Sequence, residues 1–287
     1  MYLIKKNIFY LFIFSVLLLS SCTEEIVFEL NSGENNRLVV EGGITDEFKI
    51  HEIRLSRTMS YYTDQTVPAE LGAKISVSSK DTIILFEDSD NDGIYKTTDS
   101  VAGIPETDYT LNIILSDKTE YYSNAKMNKV ASLDSITYKR EGFFDFQNQD
   151  SIYFYIIQLY AKEPATPGDY YLWKYYMDDK LVTDTLFEQV FVDDANVNGN
   201  DIFAFDLFYI EEDKIENDTV EITVSMENIS KAQFDHHVSL MRETVWKGGP
   251  FEGPAANVPT NIGNGALGLF YANSVSQTKT TLIKTKK

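Results

Sequence analysis

Residues 73–98, AKISVSSKDTIILFEDSDNDGIYKTT, decide the fold class of this sequence. Apolar and polar residues alternate in AKISVSS and in TIILFED, a pattern typical of strands that bury one face. The aspartate-rich stretch DSDNDG, residues 88–93, ends in Asp-Gly, which hairpin geometry favours. The stretch therefore predicts strands joined by tight turns.

Similar alternating runs continue on both sides of this stretch. They are RLVVEGGIT (37–45), HEIRLSRT (51–58), YTLNIILSD (109–117) and EYYSNAKM (120–127), with Gly, Pro, Asp and Asn between them. No run before Lys129 has a helical period. Residues 37–130 are therefore predicted to form an antiparallel β-sandwich of the immunoglobulin or transthyretin type.

The second half of the chain, residues 131–287, predicts a larger β-rich domain. Its strands are rich in aromatic residues, as in SIYFYIIQLYA (151–161) and DYYLWKYYMDD (169–179). In the latter, both alternating faces are apolar, which predicts a strand covered on both sides. So many rings also suit a platform for stacking sugars, but core packing is the favoured interpretation.

One segment departs from the β pattern. ENISKAQFDHHVSLMRETV predicts a helix over residues 231–244, with Ser230 as its N-cap. Helical spacing places four apolar residues on one face, which is expected to lie against a sheet: Phe234, Val238, Met241 and Val245. His236 and His237 are adjacent and point in different directions on a helix, which disfavours joint metal ligation.

The composition restricts the function. The chain has 287 residues, of which 43% are hydrophobic, enough for one large or two modest cores. Lys and Arg number 25 against 44 acidic residues, so the net charge is −19. Such a surface repels phosphate backbones, which excludes a nucleic-acid role and favours divalent cations and basic partners.

The first residues, MYLIKKNIFYLFIFSVLLLSSC, read as a secretory signal over residues 1–21. The apolar run from Ile8 to Leu19 is too short for a spanning helix, which needs roughly twenty residues. LSSC resembles the bacterial lipobox, so Cys22 is predicted to be acylated and to become the new N-terminus. Cys22 is the only cysteine, which is explained by acylation, since an exported chain without a second cysteine has no internal disulfide.

Residues 22–36 form an acidic tether behind the predicted anchor. TEE, residues 23–25, resembles the surface-export signal of lipoproteins, and the alternative is a solvated linker. A multiply acylated cysteine anchors durably, because each buried methylene adds about 0.8 kcal/mol of membrane affinity. The chain is therefore expected to be exported and lipid-anchored, facing either the periplasm or the exterior.

The stretch DSDNDGIYKTTD matches the spacing of a calcium loop. Asp88, Asp90, Asp92 and Asp99 occupy the first, third, fifth and twelfth places, and Gly93 occupies the sixth. The flanking segments are strands rather than helices, and an Asp-Gly turn is also what a hairpin prefers. A hairpin turn is therefore the favoured interpretation, and calcium at these four aspartates is the alternative hypothesis.

A second stretch, DDANVNGND, echoes the calcium pattern. Asp194, Asn196, Asn198 and Gly199 fall at the corresponding places. The charge of the ligands is lower, and Phe205 occupies the twelfth place. A plain Asn-Gly turn is therefore favoured here.

Two further motifs only partly match cofactor signatures. GNGALG, residues 263–268, has dinucleotide-type glycines, but LFYANSV follows it as a strand, so a bulge or a close backbone approach is favoured. HEIRL begins like a zinc-protease signature, but Leu55 replaces the second histidine, and His51 falls in a strand pattern. No cofactor is predicted from either motif.

An ordered set of segments resembles a known family. RLVVEGGITDE, HEIRLSRT, GAKISVSS, DGIYKT, GIPETDYTLNI, LDSITY and NIGNGALGLFYANSVS, from Arg37 to Ser276, are similar to the Bacteroidota lipoprotein family catalogued as domain of unknown function 4249. The resemblance implies an outer-membrane lipoprotein with an N-terminal sandwich and a larger β-rich part, often encoded beside TonB-dependent receptors. It implies no catalytic residues, because the family has none assigned.

Three classes of function follow. The leading hypothesis is a non-enzymatic accessory lipoprotein that binds a ligand or a TonB-dependent β-barrel transporter. The alternatives are a structural or adhesive surface module and a secreted hydrolase. The hydrolase has little support, since the chain has three histidines, no G-x-S-x-G elbow and no intact zinc signature.

Overall fold

The computed structural model describes residues 36–59, 66–147, 149–245 and 256–285. The predicted signal peptide, Cys22 and almost all of the acidic tether lie outside these residues. The described part is mainly β, as the alternating pattern predicts. Among the described residues, no helix has the length and apolar character needed to cross a bilayer.

The described residues form fifteen strands, one α-helix and one 3₁₀ turn. The strands are β1 (Leu38–Thr45), β2 (Glu52–Arg57), β3 (Lys74–Ser78), β4 (Ile83–Glu87), β5 (Ile94–Thr97), β6 (Thr107–Ile114), β7 (Glu120–Met127), β8 (Leu133–Asp145), β9 (Asp150–Lys162), β10 (Tyr170–Met177), β11 (Lys180–Leu181), β12 (Val190–Asp193), β13 (Asp201–Glu211), β14 (Thr219–Ile229) and β15 (Leu267–Ile283). The helix α1 is Lys231–Val245, and the 3₁₀ turn is Glu212–Lys214.

The strands form two sheets. The large sheet has the order β11-β10-β14-β15-β1-β2-β5-β4-β3-β6-β7, with β12 also paired to β10. The small sheet has the order β13-β9-β8. Among the described strands, β1 and β15 pair in parallel, and the other pairs are antiparallel. The strand predictions for residues 73–98 are confirmed: β3, β4 and β5 are consecutive antiparallel neighbours.

The first hydrophobic core is enclosed by β1 to β7 and the N-terminal part of β15, in a sandwich-like arrangement. Alternate residues of each strand enter it, as Val40, Ile53 and Leu111 show, each with no exposed surface. Tyr95 is almost fully buried, and its hydroxyl donates to the Glu70 carbonyl at 2.8 Å. A buried large apolar side chain contributes about 1.5–3 kcal/mol, so this core supplies much of the stability.

The second core lies between the small sheet and the β10, β14 and β15 part of the large sheet. Its members come from both sheets and include Tyr155, Leu159, Tyr171, Trp173, Val224, Met226 and Leu282. One face of β10 enters this core, and Tyr170 on its other face contacts Phe234 of α1, with ring centroids 5.0 Å apart. The predicted strand with two covered faces is β10.

Strand β15 serves both cores. Its first residues pair with β1, from Val39 with Leu267 to Thr45 with Asn273, and the rest of β15 pairs with β14. The backbones of β1 and β15 approach closely at Gly268, where φ is +90° and an added Cβ would collide with the Val40 carbonyl oxygen. The predicted close backbone approach in GNGALG is therefore found at Gly268.

The buried residues change core near the predicted boundary between residues 130 and 131, and Val130 already packs against the second core. Buried residues up to Met127 belong to the first core, and Ile136 begins the second. Residues 262–272 return to the first core. Residues from Asn36 onward form one compact unit, so the two-domain division stays a prediction.

The predicted helix is confirmed and ends one residue later, at Val245. Ser230 is its N-cap, because the Ser230 Oγ accepts the backbone N–H of Gln233 at 3.1 Å. The buried residue of the helix is Gln233, whereas Val245, assigned to the apolar face, is 54% exposed. The other three residues of the predicted apolar face, Phe234, Val238 and Met241, are partly buried.

Candidate functional site

A cavity of about 230 Å³ lies between the two sheets, at one end of the second core. Its walls are mainly apolar and include Leu159, Ala161, Trp173, Ile202, Leu207 and Met226. Glu163 and Tyr171 also line it and supply polar atoms. An apolar pocket with a few convergent polar groups is the usual form of a small-ligand site.

Glu163 and Tyr171 form a buried hydrogen-bonded pair in this cavity. The Tyr171 hydroxyl donates to Glu163 Oε1 at 2.7 Å. Burial raises the pKa of Glu163, the bond from Tyr171 opposes the rise, and the carboxylates of Asp169 and Asp194 add to it. Burial, followed by the bond to Glu163, also raises the pKa of Tyr171.

Glu163 belongs to a cluster of three carboxylates. One oxygen each from Glu163, Asp169 and Asp194 lies within 4.8 Å of the others. Glu163 and Asp194 are each only 4% exposed. Three acidic groups at this separation repel one another strongly where water is scarce, so their charge has to be compensated.

The cluster is built where three strands meet connecting segments. Glu163 follows β9, Asp169 precedes β10, and Asp194 follows β12. Asp194 Oδ2 accepts the Gly168 N–H at 2.9 Å, and Asp169 Oδ1 accepts Asn228 Nδ2 at 3.0 Å. The Tyr171 hydroxyl donates to Glu163 in the same way. One oxygen of each of the three carboxylates thus accepts a hydrogen bond from a backbone or side-chain donor.

The loop after Asp194 is the turn predicted from DDANVNGND. The Asp194 carbonyl accepts the N–H groups of Val197 and Asn198, and Gly199 has a φ of +75°. The Gly199 N–H donates to the Pro164 carbonyl, so the turn lies against the residue that follows Glu163. Asn196 and Phe205 line the cavity. The turn prediction is confirmed, and the Asp194 side chain is part of the acidic cluster.

The predicted calcium residues of the other loop lie in the hairpin between β4 and β5. Asp88 accepts the N–H groups of Asp92 and Gly93 at 3.1 and 3.0 Å, and Asp92 accepts the N–H of Ile94 at 2.8 Å. Asp90 points toward the Lys96 ammonium at 3.6 Å, and Asp99, beyond β5, is exposed. Calcium at these aspartates stays a prediction.

The two loops differ in how their carboxylates are used. Asp88 and Asp92 satisfy the backbone of their own turn, which is the ordinary role of aspartate in a hairpin. Among the described residues, the one group of three acidic, imidazole or thiol side chains with ligand atoms within 4.8 Å is Glu163, Asp169 and Asp194.

A buried ion pair lies on the opposite face of the large sheet, beneath α1. Lys174 Nζ is 2.5 Å from Glu227 Oε1, and Asn273 Nδ2 donates to Glu227 Oε2 at 2.8 Å. Burial favours a raised pKa for Glu227, but the Lys174 ammonium outweighs it and lowers that pKa. For Lys174, burial favours a lowered pKa, and the Glu227 carboxylate outweighs it and raises that pKa. The pair stays ionised because each charge compensates the other.

The histidines have separate environments. His237 stacks on Phe191 with ring centroids 4.8 Å apart, and burial lowers its pKa to about 4. The His236 Nδ1 lies 2.6 Å from the Pro259 carbonyl oxygen. His51 is buried beside the first core, with Nε2 3.0 Å from the Val101 carbonyl oxygen. Although their partners differ, the rings of His236 and His237 lie edge to face, with centroids 5.6 Å apart.

The hairpin of β8 and β9 exposes a group of aromatic side chains. Phe143, Phe144 and Phe146 are 49%, 54% and 85% exposed, and Ile152 across the hairpin is 41% exposed. The rings of Phe144 and Phe146 contact each other edge to face, with centroids 5.1 Å apart. Phe143 and Phe144 are successive residues of β8 and lie on opposite faces of the hairpin, Phe143 beside Phe154 and Phe144 beside Phe146.

Sequence reasoning missed Glu163 and Asp169 as site residues. Each is a single acid in an ordinary turn, and no spacing connects either of them with Asp194. The available signal was the calcium-like spacing from Asp194, which indicated the turn and not its partners.

The model of the family described as Domain of unknown function (DUF4249) matches residues 23–279. No curated protein matches the chain.

Proposed function

Because the chain belongs to the DUF4249 family, we propose that it is an outer-membrane lipoprotein that binds a small ligand without transforming it and serves a TonB-dependent transporter. Cys22 would carry the lipid anchor, and the described β-rich unit would hold the ligand. The observation that supports ligand binding is the cavity between the two sheets, with Glu163 and Tyr171 among its mainly apolar walls.

The cavity favours a particular class of ligand. Its volume of about 230 Å³ is smaller than that of a typical drug-sized site. It therefore suits a small apolar molecule or one apolar group of a larger molecule. The Glu163 carboxylate accepts hydrogen bonds, so the preferred ligand carries a donor or a positive charge next to its apolar part.

The binding proposal is tested by filling the cavity. Ala131 lines it, and Ala131→Phe should occupy its space, while Ala102→Phe adds the same bulk at an exposed position. With indole as the probe, saturation-transfer NMR should show binding to the wild type and to Ala102→Phe. Binding to Ala131→Phe should be at least tenfold weaker, and equal binding by all three proteins would refute a ligand site here.

The anchoring proposal has its own test. Labelled palmitate should enter the wild type and not Cys22→Ala, and extraction with a gentle detergent should recover a transporter barrel with the wild type. Label retained in Cys22→Ala would contradict acylation at this residue. A wild type recovered without any barrel would contradict the transporter partnership.

The exposed aromatic hairpin supports a second candidate function, a surface module that adheres to another molecule. Phe143, Phe144 and Phe146 would form the contact. Changing all three to serine should abolish adhesion of intact cells to host or neighbouring-cell surfaces if this function is correct. Indole binding in the cavity should be unchanged by these substitutions, which separates the two functions.

A further inference from the structure

The acidic cluster has no compensating charge from the described side chains. Glu163 and Asp194 are nearly fully buried, and Asp169 is half-buried. The ion pairs among the described residues do not include any of the three. The buried pair of Lys174 and Glu227, in contrast, is compensated within the chain. A proton or a cation has to fulfil that role for the cluster.

A buried amide beside the cluster favours a cation. Asn228 is 2% exposed, and its Nδ2 donates to Asp169 Oδ1 at 3.0 Å and to the Lys129 carbonyl at 3.2 Å. These two bonds fix the carboxamide against the cluster. Its Oδ1 is buried and has no donor among the described residues. A buried acceptor without a partner costs about 1–3 kcal/mol, and a metal ion is a partner that an oxygen atom can accept.

A second buried amide oxygen in the same region also lacks a hydrogen-bond donor among the described residues. Asn198 Oδ1 is buried without a donor among the described residues, and Asn198 lies in the turn that begins at Asp194. The region therefore provides three carboxylates. It also provides two amide oxygens that have no hydrogen-bond donor among the described residues. An all-oxygen set of this type is suited to hard divalent cations.

We propose that Glu163, Asp169 and Asp194 bind a calcium ion, with the amide oxygens of Asn228 and Asn198 as neutral ligands. Calcium suits the site better than magnesium, because ligands from separate segments rarely provide the near-ideal octahedron that magnesium demands. The bound ion joins the end of β9, the start of β10 and the loop after β12. The site shares Glu163 with the cavity, but calcium binding is measured without a cavity ligand, so its failure is distinguishable from failure of the proposed ligand binding.

The experiment measures calcium binding to the full chain directly. Terbium replaces calcium in oxygen sites and is excited by nearby aromatic rings, and the Tyr171 hydroxyl lies 2.7 Å from Glu163 Oε1. Sensitised terbium emission should rise on titration and be displaced by calcium. Calcium at 1 mM, compared with chelator, should raise the melting temperature, because a ligand bound only to the folded state stabilises it.

Matched variants assign the response to this cluster. Asp194→Asn and Asp169→Asn keep the shape of each side chain and should weaken calcium binding at least tenfold. The control, Asp88→Asn with Asp92→Asn, changes the hairpin aspartates and should bind calcium like the wild type. Two variants are used because Asp194 is buried, and Asp169→Asn keeps the test valid if Asp194→Asn does not fold.

Two results would overturn the proposal. If the wild type gives no terbium emission and melts identically in calcium and chelator, a shared proton rather than an ion compensates the cluster. If the hairpin variant loses the response while Asp169→Asn keeps it, calcium binds at Asp88 to Asp99.

Discussion

The two cores share β15 but bury different kinds of side chain. Around the first core, the buried polar residues of the described chain are Thr45, His51, Ser56, Thr97 and Ser123, none of them acidic. All four buried carboxylates of the described chain lie in the second half: Glu163, Asp194, Glu212 and Glu227. The first half is held by apolar burial, and the second half also depends on the compensation of charge.

This difference indicates which half of the molecule has a stability that depends on pH and on bound ions. Apolar burial depends little on pH or on divalent ions, whereas buried carboxylates respond to both. The Glu212 carboxylate accepts two hydrogen bonds from Arg140, at 3.1 and 2.9 Å, and the Glu227 carboxylate forms an ion pair with Lys174. Glu163 and Asp194 lack a described cation, and Glu163 also lines the cavity. The second half is therefore the part whose stability a ligand can control.

The largest expected effect comes from breaking the buried ion pair. Lys174→Met leaves the Glu227 carboxylate buried and uncompensated, so the free energy of unfolding should fall by about 3–5 kcal/mol in urea denaturation. The double variant Lys174→Met with Glu227→Leu removes both charges and should recover most of this loss. A double variant as unstable as the single one would show that the pair is not the cause.

A cavity in the first core should have the next largest effect. Leu111 has no exposed surface, so Leu111→Ala should lower the free energy of unfolding by about 3 kcal/mol. The loss should be equal at pH 5 and pH 7, because no charged group is uncovered. A loss that changed with pH would contradict the contrast between the two cores.

The third effect is a pH dependence from His237. Its pKa falls from 6.5 to about 4 on folding, mainly through burial, with further lowering from His236 and Lys174 and an opposing contribution from Glu227. The unfolded state therefore binds more protons between pH 4 and 6.5, and the contribution of His237 to stability is lost as the pH falls through that window. The loss should be about 3 kcal/mol.

The measurement for His237 is a comparison of stability profiles. Urea denaturation of the wild type and of His237→Gln at intervals from pH 4 to pH 7 gives two curves. Their difference should shrink toward low pH, since the variant has no imidazole to protonate. Parallel curves would rule out His237 as the titrating group.

The smallest effect should come from an exposed ion pair on α1. Lys231 and Asp235 are one helical turn apart, and Lys231 Nζ lies 2.6 Å from Asp235 Oδ2. Lys231→Ala should lower the free energy of unfolding only slightly, and 1 M NaCl should remove most of the difference. A loss comparable with that of Lys174→Met would contradict the distinction between buried and exposed pairs.

The local features of this fold could be predicted from the sequence because they repeat over short distances. Alternation identified β3 to β5, and the N-cap at Ser230 together with helical spacing identified α1. The parallel pairing of β1 with β15 could not be predicted, because nothing in the sequence near Val39 or near Leu267 indicates that these residues are paired. The exposure of Val245 and the burial of Gln233 on α1 could not be predicted either, since both depend on what packs against the helix.

The candidate site could be predicted only in part. The spacing from Asp194 identified a turn because a turn is local, and the hairpin at Asp88 was identified in the same way. The cluster requires Glu163 and Asp169 from two other segments, which only the arrangement of β9, β10 and β12 brings together. The more complete calcium spacing therefore occurs in residues 88–99, where Asp88 and Asp92 accept hydrogen bonds from the backbone of their own turn.

The position of β15 has a consequence for how the chain reaches its native state. Arg37 donates to the Gly265 carbonyl across 228 residues, so the contacts that join the two halves have a very large sequence separation. Strand pairings of this kind form slowly, because a long loop has to close before they contribute. Until β15 arrives, β1 and β14 are open edges able to pair with other chains. A chain that ends before Leu267 should therefore aggregate during biogenesis, because both of these edges stay open.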